Sequence, residues 1–210
     1  MDEEQFKQLK QPGFGYFNFK KISPVVRFLT MCDIMIISGF GLITPIFAVF
    51  ITENIKNANL ETVGIASTIF LLSKGLLQIP IGTIIDKIRG EIDDYWFLLL
   101  GSIGYAAIPL LYMIINTPGQ LYFVQFVFGL AGAFAYPSFM AIFTRHVDKE
   151  HEGIEWSIYS TMVEIGMALT ATIGAFVAYQ FGFKYLFVVA SITILIGNLF
   201  ILGIYRKIRR

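Results

Sequence analysis

The sequence predicts an all-α membrane protein with six transmembrane helices and with both termini in the cytoplasm. Three observations support this prediction: an apolar composition, six long apolar runs, and an uneven distribution of lysine and arginine. Hydrophobic residues make up 56% of the chain and charged residues only 15%. Soluble domains are usually about 45–50% apolar and about 25% charged. We therefore expect most of the chain to lie in lipid.

The apolar runs divide the chain into six predicted spans that are joined by short polar segments. A helix rises about 1.5 Å per residue, so about 20 apolar residues cross the hydrocarbon core. The predicted spans cover approximately residues 25–51, 62–85, 95–115, 119–143, 154–179 and 184–204. This pattern predicts three regions: a polar N-terminal arm (1–24), a transmembrane bundle (25–205) and a basic cytoplasmic tail (206–210).

The N-terminal arm begins with the polar stretch MDEEQFKQLK, which has no apolar signal core, so we expect it to be retained in the cytoplasm. Its second half interleaves aromatic residues with Lys20 and Lys21. This mixture suits the lipid headgroup layer. A disordered tail is the alternative interpretation.

Lysine and arginine predict the orientation of the bundle. With the N-terminus inside, 13 of these residues fall on the cytoplasmic side and only Lys56 and Lys184 fall outside. The cytoplasmic residues are Lys7, Lys10, Lys20, Lys21, Arg27, Lys87, Arg89, Arg145, Lys149, Arg206, Lys207, Arg209 and Arg210. Cytoplasmic loops of membrane proteins are enriched in these cations. We therefore expect an even number of helices with both termini inside, in the cytoplasmic membrane.

The stretch GTIIDKIRG, residues 82–90, joins the second and third predicted spans. Gly82 lies four residues before Asp86, and the basic residues Lys87 and Arg89 and the turn residue Gly90 follow. This pattern resembles the loop between the second and third helices of the major facilitator superfamily. In the family the second glycine comes one position earlier, and basic residues follow it where this chain has acidic ones.

Three other segments are similar to the same family. They are GFGLITPIFAVFI (39–51), QFVFGLAGAFAYPSF (125–139) and YQFGFKYLF (179–187). These segments match the first helix, the fourth helix and the entry into the sixth helix of these transporters. The resemblance covers residues 25–205 and implies one six-helix half of a major-facilitator-type fold. Family members have two such halves, so the resemblance implies that a second half comes from another chain.

Two departures from the family pattern narrow the function. The fourth helix of the family often has an arginine where this chain has Gln125, which argues against an arginine-dependent proton step. The drug antiporters of the family have a Gly-Pro pair in the fifth helix, whereas residues 166–175 contain no proline. The sequence therefore does not favour a drug antiporter.

Three ionisable residues, Asp33, Lys74 and Glu164, lie inside predicted spans. A charge within the membrane costs about 2.5–3.5 kcal/mol on insertion scales and usually has a function. Asp33 is predicted to carry a proton or to bind a cationic group, unless it reaches the interface and pairs with Arg27 or Lys21. Gln78 and Gln125 are further candidates for the substrate site.

Lys74 and Glu164 are predicted to lie at similar depth in the second and fifth spans. The family packs the second helix of one half against the fifth helix of the other. The resemblance therefore implies an ion pair between Lys74 of one half and Glu164 of the other. The alternative is that each side chain faces the cavity and contacts the substrate.

The predicted function is secondary transport of a small solute by a homodimer of six-helix halves, working by alternating access. Proton coupling through Asp33 or Glu164 is a hypothesis. The alternatives are a half that pairs with a different six-helix chain and a scaffold that retains the fold without transport. We predict no enzymatic activity, cofactor, metal or nucleic-acid partner, because His146 and His151 lie in a charged loop and no nucleotide-binding motif is present.

Overall fold

Long apolar helices run through the whole of the described chain. The computed structural model describes residues 22–87 and 90–208, and these contain helices and no strands. The helices are α1 (Pro24–Ile43), α2 (Phe47–Asn54), α3 (Leu60–Lys87), α4 (Ile92–Tyr112), α5 (Pro118–His146), α6 (Glu152–Phe181) and α7 (Phe183–Ile208). They provide six candidate membrane spans, of which α1 and α2 together form the first. The predicted all-α fold with six spanning helices is confirmed.

The first span is not the continuous helix that the sequence predicted. A 3₁₀ turn, Thr44–Ile46, separates α1 from α2. Pro45 has no backbone N–H to donate and its ring clashes with the preceding turn, so the α-helical ladder breaks there. At the break the Phe40 carbonyl accepts from both the backbone N–H and the hydroxyl of Thr44, the hydroxyl at 2.9 Å.

Local sequence signals explain two other helix ends. Thr117 and Gln120 form a reciprocal capping box at the start of α5, in which each side chain accepts from the backbone of the other. Gly182 separates α6 from α7 with a φ of 85°, which only glycine adopts without strain. The chain therefore turns back across the bundle within one residue.

The six spans pack as a row that curves around a central cavity. The main packing neighbours are α3 with α5, α5 with α4, α4 with α7, α7 with α1, and α1 with α6. This order places α3 and α6 at the two ends of the row. In the most apolar 18-residue stretch of each span, only 17% is buried in α3 and 6% in α6, against 44–50% in the other spans. The two end helices therefore lack packing partners on much of their surface.

Close approach of α5 to α3 depends on a glycine. A Cβ at Gly129 would lie 2.8 Å from the Phe70 carbonyl oxygen and 2.9 Å from the Lys74 amide nitrogen. Backbone atoms cannot move aside cheaply, so any side chain at this position would force the two helices apart. Gly129 thereby fixes the position of Lys74 relative to α5.

Some sequence predictions fall outside the described residues. The predicted arm does so, apart from residues 22–24, and so do Arg89 and the last two residues of the predicted tail. The described part of that tail, residues 206–208, continues α7. Ile22 belongs to the buried core cluster that α1, α4, α5 and α7 form.

Candidate functional site

A cavity of about 340 Å³ lies inside the curve of the helices. Side chains from α1, α3, α4, α5 and α6 line it, and most of them are apolar or aromatic. Its polar lining residues are Asp33, Thr44, Lys74, Ser102, Tyr105, Tyr136 and Tyr159. A largely apolar cavity with a few convergent polar groups is the usual form of a small-molecule site.

Asp33 is fixed within this cavity by a hydrogen bond between two helices. The Tyr159 hydroxyl of α6 donates to the Asp33 Oδ2 atom of α1 at 2.6 Å. The bond satisfies part of the hydrogen-bonding capacity of the carboxyl group, and the tyrosine brings no counter-charge. Asp33 therefore has Tyr159 as its partner, rather than the Arg27 that the sequence offered as an alternative.

Lys74 extends from α3 into the same cavity. Its Nζ atom lies 4.6 Å from the centre of the Tyr136 ring, which is within range of a cation–π contact. Its aliphatic stem lies against Gly132, where a Cβ would come within 3.2 Å of Lys74 Cδ and 2.8 Å of Tyr105 Oη. A larger residue at position 132 would therefore displace both polar side chains.

Asp33 and Lys74 thus line one cavity with opposite charges. They attract one another electrostatically, but among the described residues no direct ion pair joins them. Both charges remain directed into a space of low polarity. Electrostatic interactions are stronger there than in water, so a ligand group that pairs with either charge would be held firmly.

Three stacked phenylalanines separate this cavity from a second one. Phe128 stacks on Phe40 with 4.8 Å between ring centres and on Phe70 with 4.2 Å. All three rings line both cavities. The second cavity, of about 280 Å³, lies toward the end of the bundle that contains α2, and Gln125 and Tyr112 line it.

The remaining polar candidates lie away from the main cavity. Glu164 is exposed on the open face of α6, where its Oε1 atom accepts a 3.0 Å hydrogen bond from Ser160. Gln78 is half-buried on α3, one turn beyond Lys74, and it does not line either cavity. The structure therefore brings Asp33 and Lys74 together and leaves Glu164 and Gln78 outside.

The stretch 82–90, which resembles the family loop, begins in the last turns of α3. Gly82 faces Pro137 of α5, where a Cβ would make only ordinary contact at 3.9 Å. Asp86 and Lys87 are exposed in the last turn of α3. Gly90 has a φ of 155°, in the range that favours glycine, and begins the connection to α4. Asp86 is therefore accessible to a partner outside this chain.

An ion pair that sequence reasoning did not identify lies at the same end of the bundle. Asp94 of α4 is fully buried and pairs with Arg145 of α5, which is partly exposed. His146 lies 3.6 Å from Glu91 in the same group of charges. These contacts fix the junction of α4 and α5 on the side where the connection from α3 enters.

Sequence reasoning also missed the tyrosines of the cavity. Tyr105, Tyr136 and Tyr159 lie well inside their helices, whereas membrane proteins usually place tyrosine at the interface with water. That unusual depth is the signal that could have identified them. Their ring faces and hydroxyl groups can position polar ligand groups inside an apolar cavity.

The chain is similar to one known protein family and to individual members of it. The profile of the Major Facilitator Superfamily matches residues 28–210. The chain is 27% identical over 146 residues to the uncharacterized MFS-type transporter MJ1560 of Methanocaldococcus jannaschii, covering 70% of this chain and 36% of that protein. It is 26% identical over 159 residues to the uncharacterized MFS-type transporter YitZ of Bacillus subtilis, covering 76% of this chain and 93% of that protein.

A solved structure shows the same fold. The crystal structure of the POT family transporter PepTSo matches with a TM-score of 0.74 and 13% identity, over 88% of this chain and 37% of that one. The chain therefore spans about a third of the length of MJ1560 and of PepTSo, and most of the length of YitZ. At this identity the likeness to PepTSo establishes the fold alone.

Proposed function

Because this chain belongs to the major facilitator superfamily, a family of multi-pass membrane transporters, we propose that it transports a small solute through the Asp33 cavity. One observation supports this proposal above the others: the cavity places Asp33 and Lys74 in a mostly apolar space. A scaffold that retained only the fold would gain nothing from two charges that are costly to place within a membrane.

The proposal includes a second six-helix unit, because α3 and α6 are the least-buried spans and flank the cavity. Polar groups such as Glu164 would otherwise face lipid on the exposed side of α6, which is unfavourable. We propose a second copy of this chain, related by a two-fold axis along the membrane normal. The two bundles would rock against each other around the central site, with both termini in the cytoplasm.

Cross-linking tests the proposed dimer. In a background without Cys32, one chain receives Leu71→Cys on α3 and the other receives Met167→Cys on α6. We expect a disulfide-linked dimer when the two variants are mixed, and a mass of two chains in lipid nanodiscs. A control pair on the opposite side, Leu100→Cys with Leu199→Cys, should remain uncoupled. A monomer, or a dimer that is linked only through the control pair, would refute the arrangement.

A substitution of Asp86, the carboxylate at the end of α3, tests alternating access. We propose that Asp86 contacts the start of α6 in the partner copy, where free backbone N–H groups favour an anion. Asp86→Asn should then shift the population toward the inward-open state by about 1–2 kcal/mol. A cysteine in place of Thr44, which lines both cavities, should then react more slowly with an impermeant maleimide than it does in a chain that retains Asp86. An unchanged labelling rate would contradict the proposed contact.

A mixed dimer decides between two roles for Lys74: pairing with Glu164 of the other copy, which the family resemblance implies, and lining the cavity of its own chain. One chain has Lys74→Met and the other has Glu164→Gln. Pairing across the interface would leave one intact pair and no unpaired charge, so this dimer would then be more stable than a homodimer of either variant. Equal stability of the mixed dimer and the two homodimers would favour the other arrangement, in which Lys74 lines the cavity of its own chain.

Proton coupling through Asp33 or Glu164 is the final part of the proposal. If Asp33 carries the coupling proton, Asp33→Asn should abolish uptake that is driven by a pH gradient and should leave solute exchange intact. If Asp33 binds the solute, both activities should fall together. Loss of coupling in Glu164→Gln with exchange preserved would assign the proton to Glu164 instead.

A further inference from the structure

One carboxylate and one ammonium group line the same cavity. Tyr159 holds Asp33 at 2.6 Å, and the ring of Tyr136 holds Lys74 at 4.6 Å. Both partners are neutral, so neither one removes the charge that it positions. The two charged groups also do not bond directly to each other. The site is therefore neutral as a whole but has two separated, oppositely charged ends.

The charge of the ligand follows from this arrangement. A neutral apolar ligand would cover both charges without pairing either one, and a buried charge without a partner is costly. A ligand with a single charge would pair with one group and leave the other facing apolar surface. Only a ligand with both charges satisfies both ends.

The walls of the cavity indicate the rest of the ligand. Phe40, Phe70, Phe128 and Phe139 line the cavity together with the ring of Tyr105. Aromatic walls favour an apolar or aromatic body, which can stack on them. A volume of about 340 Å³ is near the lower end of the range of roughly 300–1,000 Å³ for small-molecule sites, so the ligand is small.

We propose that the cavity binds a small zwitterion, with its cationic group at Asp33, its anionic group at Lys74 and an apolar or aromatic body between the phenylalanine rings. This inference rests on the proposed function, since it names the class of solute that the transporter would carry. It also assigns Lys74 to substrate recognition, rather than to a permanent ion pair with another copy.

Three probes with the same aromatic body and different charges test the proposal. Phenylalanine is a zwitterion, phenylalaninamide is a cation and N-acetylphenylalanine is an anion. Equilibrium binding to the full chain in lipid nanodiscs should be at least about tenfold tighter for phenylalanine than for either analogue, because each analogue loses one charge-assisted contact. Tighter or equal binding of either analogue, or no binding of any probe, would overturn the proposal.

Variants assign each end of the ligand. Asp33→Asn should erase the preference for phenylalanine over N-acetylphenylalanine, and Lys74→Met should erase the preference over phenylalaninamide. The control substitutions Glu53→Gln and Lys56→Met remove one charge of each sign from exposed positions outside the cavity and should leave both preferences intact. Preferences that survive the cavity substitutions would refute the assignment. The wild-type comparison needs no substitution, so it remains decisive if a variant fails to fold.

Uptake into proteoliposomes separates this inference from the proposed function. Selective binding of phenylalanine without uptake would refute transport and leave the zwitterion site standing. Uptake of only the cation or only the anion would support transport and refute the zwitterion.

Discussion

The hydrogen bond from Tyr159 to Asp33 gives the sharpest test of the packing around the cavity. It joins α6 to α1 at 2.6 Å, and the acceptor is a carboxylate. Hydrogen bonds to charged groups contribute about 1.5–3 kcal/mol, more than bonds between neutral groups. Tyr159→Phe removes only the hydroxyl, so the ring contacts with Phe143 and Trp156 remain. We expect the variant to lose most of this stabilisation.

Thermal unfolding in detergent, followed by tryptophan fluorescence, measures the loss. Trp156 lies 5.7 Å from the Tyr159 ring and therefore reports on this region. For a chain of this size 1 kcal/mol shifts Tm by about 2–4 °C, so Tyr159→Phe should lower Tm by about 3–12 °C. Tyr105→Phe is the matched control, since it removes a cavity hydroxyl that does not bond to Asp33, and it should change Tm much less.

A double-mutant cycle shows whether the two residues act together. Once Asp33→Asn has removed the charge, Tyr159→Phe should cost much less than it does in the wild-type chain, because the strong bond is already gone. Additive losses in the double variant, or a Tm for Tyr159→Phe equal to that of the control, would refute this account of the Asp33 site.

Two further predictions concern contacts that position the helices. Gly129→Ala should destabilise the chain by about 1–3 kcal/mol, because the added Cβ clashes with the α3 backbone. The control is Gly75→Ala, whose Cβ meets nothing within 4 Å and should have no such cost. Equal Tm values for the two variants would contradict the close approach. Arg145→Met leaves the buried Asp94 carboxylate unpaired and should cost about 3 kcal/mol, the low end of the range for such a change because Arg145 is partly exposed. Adding Asp94→Asn should restore part of the lost stability in the same assay.

The helices themselves could be predicted because each one depends on a local property. A run of about 20 apolar residues has to form a helix in lipid, where every backbone polar group needs a partner within its own segment. Composition and run length therefore predicted six spans, and short motifs in and between the helices gave the family resemblance. The same local logic could have placed the break in the first span, since Pro45 marks it directly.

The cavity was only partly predictable. Asp33 and Lys74 stood out individually, because a charge within an apolar run is conspicuous in any sequence. A position of Lys74 in the cavity was only the alternative prediction, because similar depth and the helix packing of the family paired Lys74 with Glu164 instead. Depth along a helix can be estimated from residue number, but rotation about its axis and the choice of neighbour depend on packing.

Sequence alone determined the number of spans, their approximate limits and the residues too polar for lipid, because these follow from the chemistry of consecutive residues. Tertiary structure decided which of those polar residues meet. Gly129 and Gly132 let α5 approach α3, and this approach directs Lys74 toward Asp33 and Tyr136 rather than toward the open face. Such contacts join residues far apart in the chain, and side-chain shape at the helix crossings selects them.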